Sequence, residues 1–263
     1  MLRTDALRLA YPGQTLVDGL SIEFKPGQMW AVLGRNGSGK STLVHALAAL
    51  RRPEAGSVLL HDAPVGAMSR RALGRQIGVL LQEETGEFWG NVGDYVLLGR
   101  YPHARRLFGW SAEDERIAED EIMAWRLTAL RKRSFASLSG GERQRARVAA
   151  LFAQRPAVYL LDEPLQHLDL AHQVALLERL SIEARNGGAI VVMVLHDLLF
   201  AARYCNRFLL LFTDGRFSVG PADAALTAVH LGELYGFPLA LVDAGGERLF
   251  LPARSLSGGM SHV

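Results

Sequence analysis

The chain opens on alternating apolar and polar positions. Leu7-Arg8-Leu9-Ala10-Tyr11 and Ser21-Ile22-Glu23-Phe24 show the period of two expected of half-exposed antiparallel strands, and Pro12-Gly13 and Lys25-Pro26-Gly27 supply turns. The pattern then turns continuously apolar. Trp30 to Leu33, Val158 to Leu161 and Ala189 to Leu195 are short unbroken runs of the kind made by strands of a buried parallel sheet. Ser57 to His61 and Ile77 to Leu81 read as further strands, and Met68 to Arg75 as one or two helical turns. Helices are expected over Leu43 to Leu50, from Ser139 to about Ala153, and over Leu170 to Ala184, where Asn186-Gly187-Gly188 gives the stop. Repeated strand–helix–strand units predict the α/β class, a mostly parallel sheet covered by helices.

A different texture interrupts this core. Val92 to Leu98 has helical spacing, Tyr101 to Trp110 is a loop rich in arginine and aromatic residues, and Ser111-Ala112-Glu113-Asp114 starts a polar helix with an N-cap signature. Val92 to about Ser134 therefore reads as a helical insertion. Near the end, Phe208 to Phe212 and Arg216 to Val219 flank Thr213-Asp214-Gly215 as a hairpin. A helical segment reaches about Tyr235, and Leu239 to Val242 with Arg248 to Leu251 form a second hairpin. One domain over residues 1–253 is expected, followed by a disordered tail over 254–263.

Composition narrows the function classes. At 263 residues, 49% hydrophobic and 21% charged, the chain is ordinary globular material able to bury a sizeable core. A net charge of +2 gives no bulk attraction to nucleic acid or membrane, and arginines around Arg100, Arg105 and Arg106 read as a solvated face or a docking loop. The single cysteine, Cys205, excludes an intrachain disulfide and a cysteine-based metal cluster. No apolar run is long enough for a bilayer and Met1 to Asp5 lacks a signal-peptide core, so a soluble, cytoplasmic protein is expected.

Between a buried strand and a helix lies Gly34-Arg35-Asn36-Gly37-Ser38-Gly39-Lys40-Ser41-Thr42. Glycines there let successive N–H groups point inward, and the helix start adds unpaired donors, so the loop is a phosphate cradle. Lys40 can reach the terminal phosphates of a nucleoside triphosphate and the Ser41 hydroxyl can take a place on Mg²⁺. Three strands end in polar residues: Gln82, Asp162-Glu163 and His196. Ligands of open parallel sheets bind beyond such carboxyl ends. Asp162 there can hold Mg²⁺, and Glu163 can orient or deprotonate an attacking water. Leu138-Ser139-Gly140-Gly141-Glu142 is a second small-residue loop at a helix start; taken singly it reads as a serine N-cap with two flexible glycines, and by the physics of the first loop as a second anion cradle. Two half-sites for one nucleotide point to two copies of the chain closing around shared nucleotides.

These pieces, in this order, resemble the nucleotide-binding subunit of ATP-binding cassette (ABC) transporters over nearly the whole chain. Gly34 to Thr42 matches the Walker A loop, Gln82 the Q-loop, Leu138 to Glu142 the signature, Val158 to Glu163 Walker B, Leu168-Asp169 the D-loop and His196 the switch histidine. The resemblance implies a phosphate-loop, RecA-like core with an antiparallel β subdomain. It implies ATP and Mg²⁺ as cofactors, the metal held by Ser41, Gln82 and Asp162, and adenine stacked on Tyr11. It further implies a homodimer in which Ser139, Gly140 and Gly141 contact the nucleotide of the other protomer. Glu163 would then be the general base, His196 a γ-phosphate contact and Asp169 a link between the two sites. The Gln82 loop and the insertion would dock a transmembrane permease at the cytoplasmic face of the membrane, served by a periplasmic binding protein. Leu98 to His103 and Asp162 to Gln173 look like importers of iron–siderophore complexes, haem and vitamin B12. Leu165-Gln166 departs from the Thr-Asn or Thr-Ser usual there; outside the phosphate contacts, it is expected to affect hydrolysis little. Arg35 replaces a common proline at an outward position. Cassettes of translation factors or DNA repair carry a second cassette or coiled-coil arms, neither of which this sequence has, and a small-molecule kinase has no need of Leu138 to Glu142.

Overall fold

An antiparallel sheet comes first in the computed structural model, which describes residues 1–82, 88–104, 109–245 and 247–253. The expected tail over 254–263, and Arg105 and Arg106, lie outside the described residues. β1 (Leu2–Tyr11) pairs with β2 (Gln14–Phe24); then come β3 (Met29–Gly34), α1 (Lys40–Leu47), β4 (Ala55–Leu60), β5 (Ala63–Pro64) and α2 (Arg70–Gln76). The antiparallel sheet has the order β2-β1-β4-β5. β1 starts at Leu2, ahead of the visible alternation, because register shifts between Thr4 and Leu9 break the period of two, with Ala6 at φ 42°.

The second sheet is built from β3, β6 (Ile77–Leu80), β7 (Val158–Asp162), β8 (Ile190–Val194), β9 (Arg207–Leu211) and β10 (Phe217–Gly220). Its order is β10-β9-β3-β8-β7-β6, parallel except for the edge pair of β10 with β9. Its central strands β3, β7 and β8 are buried on both faces, which explains their unbroken apolar sequence. Alternate residues serve two cores. Trp30, Val32, Leu160 and Val192 pack with Leu43 and Leu47 of α1 and with Phe24 of β2. Ala31, Leu33, Tyr159 and Leu161 face the helices α3 (Val92–Leu98), α4 (Ala112–Ala124), α5 (Gly140–Gln154) and α6 (Leu170–Gly187).

The helical insertion leaves and re-enters the core at one neck, with Val92 N donating to Arg133 O (3.0 Å) and Phe135 N to Gly90 O (3.0 Å). Inside it, Arg100 corrects the reading of a solvated or docking arginine. It is 7% exposed, its Nε pairs with Asp114 Oδ1 at 2.9 Å and its Nη1 donates to Ala153 O at 2.8 Å. That ion pair joins the cap of α4 to the end of α5. The chain ends with α7 (Leu198–Tyr204), α8 (Ala222–Ala225), α9 (Ala228–Tyr235) and the hairpin of β11 (Leu239–Ala244) and β12 (Glu247–Pro252).

Candidate active site

β3 delivers the chain to the phosphate loop and α1 takes it away. The α1 N-cap, Gly39, sits at φ 95°, and a Cβ there would come within 2.9 Å of Leu16 Cβ. Only glycine fits this bend. Lys40 is buried at 6% exposure and its Nζ donates to Gly34 O and Arg35 O, both at 2.9 Å. The ammonium thus closes the loop on itself across the space where phosphates would lie. Burial lowers the Lys40 pKa, while the nearby Glu163 and Asp162 carboxylates pull it back up. Ser38 is also buried and its Oγ has no hydrogen-bond partner among the described residues. An orphan hydroxyl beneath a ring of backbone donors fits a phosphate oxygen.

Asp162 ends β7 at 2% exposure. Its Oδ1 lacks a partner among the described residues, and burial pushes its pKa up while the nearby Ser41 hydroxyl pulls it down. A buried carboxylate oxygen left unpaired beside a hydroxyl is the donor set of a hard divalent cation such as Mg²⁺. Glu163 follows in the left-handed region, φ 51°, where side chains other than glycine are uncommon. That turn aims its carboxylate at His196, whose Nε2 lies 2.8 Å from Glu163 Oε1.

A cleft of about 670 Å³ gathers most of the expected residues. Asn36, Gly37, Gly39, Lys40, Ser41 and Thr42 form one wall, and Gln82, Glu163 and His196 form another. Gly34, Ser38 and Asp162 lie buried behind this surface. Gln82 stands two positions beyond the end of β6 and is exposed. Tyr11 also lines the cleft; at 48% exposure it is no core aromatic, and the Arg51 guanidinium covers its ring at 4.0 Å.

Ser139, Gly140, Gly141 and Asp169 do not line this cleft. Ser139 caps α5 in a capping box with Glu142: its N donates to Glu142 Oε2 at 2.8 Å and its Oγ accepts from Glu142 N at 3.3 Å. A Cβ on Gly141 would stand 2.9 Å from His167 O, so the second cradle is pressed against the turn after Glu163. Asp169 caps α6, accepting from His172 N at 2.9 Å and pairing with His172 Nδ1 at 2.8 Å.

Gln166 differs from its expected place outside the chemistry. It lines the cleft, and its Nε2 donates to Glu163 Oε2. Glu163 and Gln166 are the first and last residues of a β-turn closed by Gln166 N to Glu163 O at 3.2 Å, which no pattern in the sequence marks. Gln14 and Leu16, carried in by β2, also line the cleft, though nothing in their spacing marked them.

Comparisons with known proteins agree with this architecture. The profile of the ABC transporter family matches residues 17–166. Over 95% of its length the chain is 36% identical to the ferric enterobactin transport ATP-binding protein FepC of Escherichia coli (strain K12), covering 93% of that protein. It is 36% identical to the hemin import ATP-binding protein HmuV of Thermobifida fusca (strain YX) over 94% of the chain and 87% of the relative. Among solved structures, an inward-facing metal-chelate type ABC transporter superposes with a TM-score of 0.80 at 30% identity, covering 97% of this chain and 98% of that one.

Proposed function

The chain belongs to the ATP-binding subunits of the ABC transporters, and from that footing we propose that its ATPase activity drives import of a metal chelate or corrinoid through a transmembrane permease. Iron–siderophore complexes, haem and vitamin B12 make up the substrate class. The names of the two relatives, ferric enterobactin and hemin transport proteins, support the first two. The observation that carries the catalytic reading is the meeting of the Lys40 loop, the orphaned Asp162 carboxylate and the Glu163–His196 pair in and behind one cleft.

In this reading the triphosphate lies along the loop, where Lys40 leaves Gly34 O and Arg35 O for the terminal phosphates, and Tyr11 takes the adenine. Ser41, Asp162 and Gln82 would hold Mg²⁺, which would offset the negative charge of the phosphates. Glu163 accepts a proton from a water whose oxygen attacks the γ-phosphorus as the bond to the bridging oxygen breaks, yielding ADP and phosphate. His196 sits beside Glu163 where it can turn to a γ-phosphate oxygen. Ser139, Gly140 and Gly141 face the nucleotide of a second protomer, and Asp169 links the two sites.

Among the described residues no helix is long and apolar enough to cross a membrane. Attachment to the cytoplasmic face through the permease is therefore the proposed location. The exposed Trp89, Leu98 and Tyr101 at the helical insertion offer apolar surface for it. Glu163→Gln tests the centre of the proposal: ATP should still bind and an ATP-loaded dimer should accumulate, while phosphate release falls by about a hundredfold or more. Hydrolysis at the normal rate would remove Glu163 from its role. Uptake of labelled iron–siderophore, haem and cobalamin by cells carrying the wild-type or Glu163→Gln chain with its permease then assigns the substrate.

A further inference from the structure

The turn that carries Glu163 is held by three glutamine side chains. Gln144 Nε2, buried on α5, donates to Pro164 O at 2.9 Å. Gln173 Nε2, on α6, donates to Leu165 O and Leu168 O, both at 3.1 Å. These two fix the backbone from opposite helices. The third, Gln166, is exposed and acts on the carboxylate itself, its Nε2 donating to Glu163 Oε2. His196 Nε2 meets the other oxygen, Oε1. Each oxygen of Glu163 thus has its own nitrogen partner, one on the same turn and one beyond the end of β8.

We infer that Gln166 is a positioning residue for Glu163, holding Oε2 so that Oε1 is the oxygen presented to the attacking water. The inference rests on the proposed role of Glu163 as general base. A carboxylate on a two-carbon stem can rotate about its terminal bond, and partial rotation swings its lone pairs away from the γ-phosphate side. A donor on one oxygen resists partial rotation, because every orientation between the two equivalent half-turn states loses a charge-assisted hydrogen bond, so the plane of the carboxylate stays fixed. Gln173 pins the carbonyls on either side of the Gln166–His167 segment, so the backbone from which the Gln166 amide reaches is held in place. When His196 turns toward a phosphate, Oε1 is released while Oε2 stays held. The amide provides orientation without competing for the proton, because a side-chain NH₂ only donates.

The test is steady-state ATP hydrolysis by the full chain in the presence of Mg²⁺, comparing wild type, Gln166→Ala and the isosteric Gln166→Glu. Gln166→Ala should lower kcat by about tenfold with the KM for ATP unchanged. Gln166→Glu keeps the shape, removes the donor and sets a like charge against Glu163, so its kcat should fall at least as far. Unchanged kcat in Gln166→Ala would overturn the inference. So would a raised kcat, which would make the contact a restraint on the base, or full activity in Gln166→Glu, which would make shape the only requirement. Melting temperatures of the exposed-site variants should match wild type, which separates positioning from loss of fold. Glu163→Gln is the independent control: if it hydrolyses ATP normally, the base reading fails, whatever the Gln166 variants do.

Discussion

Asp162 shows how far single residues carry both function and cost. Its carboxyl is held above the ordinary carboxylate range chiefly by burial, with the Ser41 hydroxyl pulling the other way. For an acid whose folded pKa is raised, the charged form destabilises the fold above that pKa, and the cost is relieved as pH falls through it. Asp162→Asn should therefore raise the melting temperature of the nucleotide-free protein by a few degrees at neutral pH, with the gain shrinking in acid, while abolishing Mg²⁺-dependent turnover. A neutral-pH melting temperature equal to or below that of wild type would contradict the burial argument. Residues of this kind were legible in the sequence because phosphate and metal chemistry demands fixed types at adjacent positions: Gly39-Lys40-Ser41 and Asp162-Glu163 each announce their partner. Gln166 was not legible. Its amide reaches Glu163 only because the turn at 163–166 folds back, and turn geometry leaves no periodic trace in the sequence. Arg100 misled for the opposite reason, since the Asp114 that neutralises it is a helix-capping residue in the next segment.

At the scale of elements, α5 is the part that joins the two cradles. Its first turn carries Ser139 as cap and Gly140 and Gly141 as the close-approach surface, and one turn on Gln144 reaches Pro164. Further along, Arg147 donates to Leu81 O, just before Gln82, and its Nη1 meets Gln144 Oε1 at 2.9 Å. One helix thus touches the chain beside Gln82 and the chain beside Glu163. Gly141→Ala should force the turn at His167 to give way, since the new Cβ would meet a backbone oxygen, not a movable side chain. The expected result is hydrolysis reduced by about tenfold or more with nucleotide affinity at the Lys40 loop intact, read by fluorescent-nucleotide titration beside phosphate release. Equal loss of both would place the damage in the fold. Elements such as α5 and β7 were readable because periodicity and burial coincide over many residues. The full lengths of β1 and β2 were not, because the register shifts and Gly19 at φ 72° interrupt the alternation that defines a strand on paper.

Among the described residues the phosphate loop opens into the cleft and the loop at Ser139 does not, and a second protomer would resolve that mismatch. The phosphate loop looks across to Gln82, Glu163 and His196 within the chain, whereas Ser139 to Gly141 open elsewhere. If each nucleotide is bound between the loop of one protomer and the second cradle of another, two different defects can rescue each other. Lys40→Ala disables the loop, and Ser139→Arg fills the second loop from an exposed position. In a mixed dimer, one site takes both defects and the other takes neither. Random mixing makes half of the dimers mixed, so a sample of both inactive variants should recover about a quarter of wild-type capacity to retain labelled ATP on the dimer. Each variant alone should retain almost none through a desalting wash, since a nucleotide held by the loop alone exchanges freely. Retention instead of turnover is the proper readout, because one intact site can close on a nucleotide even where steady cycling needs both. Two cradles serving a single chain predict the other result: every protomer in the mixture carries a defect, and mixing recovers nothing.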